Sequence, residues 1–302
     1  MRLSVSPRSS YDYPDPRRGA QAMVDRTIAA RKAELDALYI GDHHAVAGGH
    51  YANNPMLGRV LAEWRGTTGG LYLLPLWHPV LLGEQIGTLA AIADGRFIFA
   101  CGLGGGSSQF AGMGIELRDR VSRFEAGLDI VRRLLAGQVV SEDEVFGLHA
   151  AQISPLPAEP VEIWLAGHAP KALDRAARLA DGWIAGPQVP IEEALALADG
   201  YRQACVAHGR EPGPIAIRRD IHVGSNHADA ARVADQAAEA GYRGFDPEVL
   251  VIGDVGDVVS LLRPLADAGI DEVVIRHLAD DEEEVLASFG RLAEVREALA
   301  GS

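Results

Sequence analysis

Residues able to carry chemistry fall in four short stretches of the chain. Gly41-Asp42-His43-His44 sets a carboxylate beside two imidazoles. Such a set can move protons, orient a ligand or bind a metal, because imidazole changes charge near neutral pH. The plainer alternative is that Asp42 closes a loop while His43 and His44 pack. No HxH or HExxH spacing and no further carboxylate cluster joins them, so no metal ligand is assigned. Leu74-Pro75-Leu76-Trp77-His78-Pro79 offers Trp77 as a flat apolar surface, or as ordinary core, ahead of a proline suited to start a helix. Cys101-Gly102-Leu103-Gly104-Gly105-Gly106 can bring backbone N–H groups close to an anion, with Gly102 and Gly104 as the candidates, although glycines also serve tight turns. Ala166-Gly167-His168-Ala169-Pro170-Lys171 opens a helix. Gly167, His168 and Lys171 can cradle a phosphate there, or be no more than a proline-started helix with a solvated lysine. No GxSxG elbow, P-loop or Cys–His nucleophile occurs.

Short apolar runs must position these stretches. Leu3–Val5, Ala37–Ile40, Leu71–Leu74, Phe97–Cys101, Val161–Leu165, Trp183–Ala185, Ile215–Val223 and Glu272–Ile275 read as strands apolar on both sides, the pattern of buried parallel sheet. Helical stripes lie between them: Leu82, Ile86, Leu89 and Ala93; Val121, Phe124, Leu128, Val131 and Leu135; Val285, Phe289, Leu292 and Leu299. The acidic run 280–284 suits the start of the last helix. Similar helix-to-strand joints recur at 33–40, 91–100, 177–185 and 266–275, and Gly95, Gly182 and Gly269 can supply a left-handed residue in three of them. Eight strands alternating with helices predict an α/β fold, a single (β/α)8 TIM barrel over residues 1–302, with an open doubly wound sheet as the alternative. The segment 137–160, with three prolines, reads as an irregular excursion. In a barrel the four chemical stretches all follow strand ends, where βα loops build active sites.

The 302 residues are 48% hydrophobic and 23% charged, enough for a large core, and the net charge of −14 disfavours nucleic acid and anionic membrane as partners. No uninterrupted apolar run approaches 18 residues, and the N-terminus lacks a signal-peptide pattern, so membrane spanning and secretion are not expected. The two cysteines, Cys101 and Cys205, are far apart and fit reduced thiols of a cytoplasmic protein.

Taken in order, LYIGDHH (38–44), Asn54-Pro55, residues 74–104, residues 161–183 and residues 252–275 resemble the bacterial luciferase-like flavin monooxygenase and F420-dependent oxidoreductase superfamily. The resemblance covers about four fifths of the chain. It implies an oxidoreductase, with reduced FMN and O2 or with coenzyme F420 and hydride transfer, acting on a small organic substrate. It also implies a homodimer and, for the FMN chemistry, a partner flavin reductase. Asp42 and His43 map onto the family's acid–histidine pair, with His44 beside them, and Gly167, His168 and Lys171 onto its phosphate segment. Gly70–Leu71 maps onto a non-prolyl cis peptide under the flavin ring, and Trp77 and Trp183 are expected to line the substrate pocket. Leu103 stands where luciferase has a phosphate-contacting arginine, and Gly167 and His168 replace its acidic and hydroxyl residues; light emission is therefore not expected. A flavin-binding barrel without catalysis and a metal-dependent hydrolase using Asp42, His43 and His44 are the rival readings.

Overall fold

The computed structural model describes residues 1–300. In chain order it contains β1 (Arg2–Val5), α1 (Pro16–Lys32), β2 (Ala37–Ile40), α2 (Asn53–Val60), β3 (Thr67–Leu73), α3 (Pro79–Ile92), β4 (Phe97–Gly102), α4 (Ser107–Gly112), α5 (Arg120–Leu135), β5 (Val140–Glu142) and β6 (Leu148–Ala151). There follow β7 (Glu162–Ala166), α6 (Pro170–Leu179), β8 (Gly182–Ala185), α7 (Ile191–Ala207), β9 (Ile215–Val223), α8 (His227–Glu239), β10 (Val251–Gly253), α9 (Val255–Asp267), β11 (Glu272–His277) and α10 (Glu282–Ala300). All eight expected strands are present, parallel wherever a register is defined, and the fold class is the expected (β/α)8 TIM barrel.

The chain divides into two compact units, residues 1–8, 21–39 and 165–302 forming one and residues 9–20 and 40–164 the other. In the first unit β1 lies in register on β11, and β11 on β9 from Glu272↔Ala216 to His277↔Ile221. β8 pairs with β9 at residues 215–217 and β10 pairs at residues 221–223. Both registers overlap that of β11, so β8 and β10 share the other edge of β9. His277 meets Ser288 Oγ at 3.1 Å and the Phe289 ring at 4.2 Å, so one face of β11 lies under α10. Strand alternation then sends Glu272, Val274 and Arg276 to the opposite face, with their register partners Ala216, Arg218 and Asp220.

In the second unit β3 and β4 run in unbroken register from Thr68↔Phe97 to Leu73↔Gly102. Leu82, Ile86, Leu89, Phe124, Leu128 and Val131 are buried as their spacing requires, whereas Val121 is 41% exposed. The excursion is partly ordered: β5 and β6 form an antiparallel hairpin. Its turn is tied by Glu142, whose carboxylate accepts the N–H groups of Glu144, Val145 and Phe146 at 2.7–2.9 Å. Val140 and Leu148 pack on Ile130 and Leu134 of α5.

Two expected backbone features are corrected. Gly70–Leu71 is trans, since Ser154–Pro155 is the one cis bond among the described residues. The residue-by-residue ladder through positions 68–73 needs the 3.8 Å Cα spacing of trans peptides, which a cis bond would shorten to about 2.9 Å. Gly182 does not turn left-handed, because it already lies in β8; Glu34 (φ 55°) and Gly269 (φ 71°) are the left-handed residues of their joints.

Candidate active site

In the second unit the end of β2 and the end of β3 converge on one carboxylate. Asp42, 4% exposed, accepts three donors on Oδ2: the backbone N–H of Leu73 at 3.0 Å, the Trp77 indole N–H at 2.7 Å and His44 Nε2 at 3.1 Å. Nε2 lies equally near Oδ1, but Oδ1 is buried with no hydrogen-bond partner. The resemblance paired Asp42 with His43; the geometry pairs it with His44, because alternation in an extended chain turns residues 42 and 44 to the same side. Since a carboxylate only accepts, Nε2 carries hydrogen and Nδ1 of neutral His44 is left as the acceptor.

Neighbouring elements lock this arrangement. The backbone N–H of His44 donates to Gln109 Oε1 at 2.9 Å, tying the loop after β2 to α4. Trp77 stands edge-on to His44 at 5.1 Å and to Tyr72 at 5.8 Å. The Tyr72 hydroxyl donates to Asn54 Oδ1 at 2.7 Å, and Asn54 Nδ2 donates to Gln85 Oε1 at 2.5 Å. Burial, and then the charge of Asp42, push the Tyr72 phenol well above its usual range, so it remains a neutral donor. The Tyr72 ring also explains Gly70: a Cβ there would stand 2.3 Å from the ring. Gly70 is therefore covered by Tyr72, while Leu71 is half-buried. His43 is exposed and its ring lies 4.7 Å from that of His50. Burial, and then the charge of His43, lower His50 to about 4.

The glycine-rich stretch closes β4. Gly102 is its last residue, and Gly104 takes φ 67° and offers its carbonyl to Arg120 at 3.3 Å. In the first unit Gly167 takes φ 148°, where a Cβ would meet Ala172 Cβ at 2.7 Å, so only glycine brings the end of β7 this close to α6. Its carbonyl accepts the Trp183 indole N–H at 2.7 Å. Trp183 is wholly buried and stacks on Tyr201 of α7 at 5.8 Å, so its ring is packed between strand and helix and not on an open surface. His168 and Lys171 are exposed at the start of α6, whose first turn has no side-chain cap. Among the described residues no group of three or more His, Cys, Asp or Glu side chains could hold a metal ion, and no helix is long and apolar enough to cross a membrane.

The sequence reading missed Gln109, Tyr72 and Gln85, which hold the site, and gave Asn54 only as part of the resemblance, without a role. Only the Gly70/Tyr72 spacing, a glycine two residues before an aromatic on one strand face, carried a legible signal for any of them.

Comparison with known proteins finds likenesses along nearly the whole chain. The F420-dependent glucose-6-phosphate dehydrogenase of Intrasporangium calvum is 24% identical over 94% of this chain and 96% of its own. That of Nakamurella multipartita is 30% identical over 62% of this chain and 59% of its own. Among solved structures, the monooxygenase RslO1 of Streptomyces bottropensis is alike over 99% of both chains at a TM-score of 0.82 and 19% identity. An F420-dependent secondary alcohol dehydrogenase, solved with an F420–acetone adduct, is alike over 99% of both chains at 0.79 and 16%. The model of the luciferase-like monooxygenase family matches residues 4–300, and the chain belongs to that family of oxidoreductases.

Proposed function

We propose that the chain is an oxidoreductase that binds coenzyme F420 and acts on a small organic substrate, with the Asp42–His44 pair handling the proton. The observation that carries the reading is the geometry of that pair: a buried carboxylate that fixes the histidine tautomer and leaves Nδ1 as the proton acceptor. The near full-length F420-dependent relative favours F420 over FMN, as does Leu103 in place of the arginine that holds the FMN phosphate in luciferase.

The residues present fit such a cofactor. Asp42 Oδ1 is a buried acceptor with no hydrogen bond of its own, since the nearby His44 Nε2 is engaged by Oδ2. Beside it in the second unit, the backbone of Gly102 and Gly104 can approach a ring system closely; taken by itself, the first unit offers an uncapped helix start at Gly167, His168 and Lys171 of the kind that suits a phosphate. When bound, the deazaflavin supplies the two-electron hydride carrier. The protein's part is to hold and to move a proton. Asp42 orients His44, and His44 Nδ1 takes a proton from the substrate or returns it. Trp77, pinned by its indole N–H to the same carboxylate, keeps an apolar wall beside the imidazole and limits water there.

The family's description as monooxygenases favours a second reading, reduced FMN with O2 and a partner flavin reductase. Fluorescence titration with F420 and with FMN decides between them: micromolar binding of F420 alone is expected, and failure to bind either overturns both. The homodimer implied by the resemblance is part of the proposal, and light scattering at micromolar concentration tests it. At the phosphate segment, Lys171→Ala is expected to weaken cofactor binding about ten- to a hundredfold through loss of a charge-assisted bond, with riboflavin binding as the unaffected control.

A further inference from the structure

The first unit holds a second concentration of charge that the Asp42–His44 chemistry does not use. Arg218 and Asp220 on β9 and Arg276 on β11 share the sheet face opposite α10, with Arg276 in register with Asp220. The segment before β10 brings Tyr242 and Arg243 onto the same spot. Asp220, 1% exposed, accepts from Arg218 Nη2 at 3.0 Å on Oδ1, and from Tyr242 at 2.9 Å and Arg243 Nη1 at 2.8 Å on Oδ2. Three guanidinium groups thus face one carboxylate in a chain whose net charge is −14.

The arginines are not equally engaged. Arg218 and Arg243 are committed to Asp220. Arg276 makes no hydrogen bond or ion pair among the described residues, and its Nε is buried without a partner, as is Nε of Arg218. Burial, and then the charge of Arg218, lower Arg276 to about 10 against the pull of Tyr242 and Asp220. A half-buried cation among other cations and without its own anion is costly, and buried donors left unpaired call for a bound ion or water. Access exists, because Arg243 keeps 34% and Arg218 19% of its side chain exposed. Planar guanidinium forks match the oxygens of phosphate and carboxylate.

We propose that Arg276, with Arg218 and Arg243, forms an oxyanion-binding site that takes the phosphate or carboxylate group of a small organic ligand. Asp220 and Tyr242 set the spacing of the arginines, and Arg276 is the arm that waits for the ligand. The site lies wholly within the first unit and does not depend on which cofactor the protein uses.

The test uses cofactor-free protein and two probes, inorganic phosphate and malonate, followed by melting temperature and by titration calorimetry. Lys171→Ala is the background for both, so that binding at the start of α6 does not contribute. One probe is expected to raise the melting temperature and to bind saturably; which one does so separates phosphate from carboxylate ligands. Arg276→Met keeps the apolar stem and removes the charge. It is expected to weaken that binding at least about tenfold, the scale of a lost charge-assisted bond, and to melt at or above the parent temperature without anion, because it relieves repulsion. A supporting structural role predicts the reverse, a lower melting temperature with anion binding intact, and that result overturns the proposal. No response of the parent to either probe overturns it as well. Neither outcome bears on the F420 and FMN titrations, so the two readings fail separately.

Discussion

The molecule buries two aspartates, Asp42 just after β2 and Asp220 within β9, and they are used in opposite ways. Asp42 gathers a backbone N–H, an indole N–H and an imidazole on one oxygen, so its charge is spread over weak donors and remains available to the histidine. Asp220 is surrounded by guanidinium groups. Burial alone would raise its carboxyl, but Arg218, Arg276 and Arg243 hold it below the ordinary range. A carboxylate among neutral donors can tune a neighbour's proton, whereas one swamped by cations can only fix their positions. The contrast separates a site that handles protons from one built to hold an anion.

The largest effect that can break this comparison is on rate. His44→Ala is expected to lower turnover about 10²- to 10⁴-fold, the usual contribution of a placed acid or base, with cofactor affinity nearly unchanged. His43→Ala, whose ring lies 4.7 Å from that of His50 while His44 holds the hydrogen bond to Asp42, is expected to keep most activity. Single-turnover rates for both variants check this, and a reversed order would return the pairing to His43.

Stability comes next, and here Asp220 should exceed Asp42. Asp220→Ala removes the anion from a buried pair and is expected to cost on the order of 3 kcal/mol, the low end for such a break because two of the arginines are partly exposed. Asp42→Ala strands the Leu73 and Trp77 N–H groups and is expected to cost about 2 kcal/mol. Urea unfolding of both variants, with unchanged slopes, measures the difference. A larger loss at Asp42 would mean that the Asp220 cluster is well solvated and that its arginines need no counter-ion.

The contrast also marks what the sequence discloses. Gly41-Asp42-His43-His44 was legible because the chemistry sits in consecutive residues after a clear strand, and the eight apolar runs placed it at a strand end. Which histidine pairs with Asp42 depends on side-chain direction over two residues, and the resemblance had assigned the pair to His43. The Asp220 cluster was invisible: Arg218 and Asp220 lay within a run read as an apolar strand, and Tyr242, Arg243 and Arg276 join them only through register and a loop. The β5–β6 hairpin escaped for a similar reason. Its turn is tied by the Glu142 carboxylate accepting three N–H groups, and the left-handed Gly147 stands at the far end of a five-residue loop, outside any two-residue hairpin signature. Gly70 was noticed for the wrong cause, since the ring it makes room for belongs to Tyr72, two residues on.

The smallest expected effect concerns acid and compares the histidines of the two units. His50 is lowered to about 4, by burial first and then by the charge of His43, with Asp42 acting in the other direction. Its unfolded value is 6.5, so as pH falls the unfolded chain takes up the proton before the folded one. Stability from this residue is complete above pH 6.5, declines as pH falls from 6.5 to about 4 and changes no further below that. At about 1.4 kcal/mol per pH unit the shift would amount to about 3 kcal/mol, and partial exposure of the ring reduces the expected loss to about 1–2 kcal/mol. In the other unit burial likewise lowers His277 and His222, so they act with the same sign. His50→Gln is therefore expected to flatten, but not abolish, the fall in urea midpoint between neutral pH and pH 4.5. The part that remains belongs to the first unit, where His277→Gln should remove some of it at a cost in packing against Phe289. Identical acid slopes for the parent and His50→Gln would show that the imidazole is fully hydrated in the folded protein, and that the loop after β2 is more open around His43 than its 4.7 Å ring contact implies.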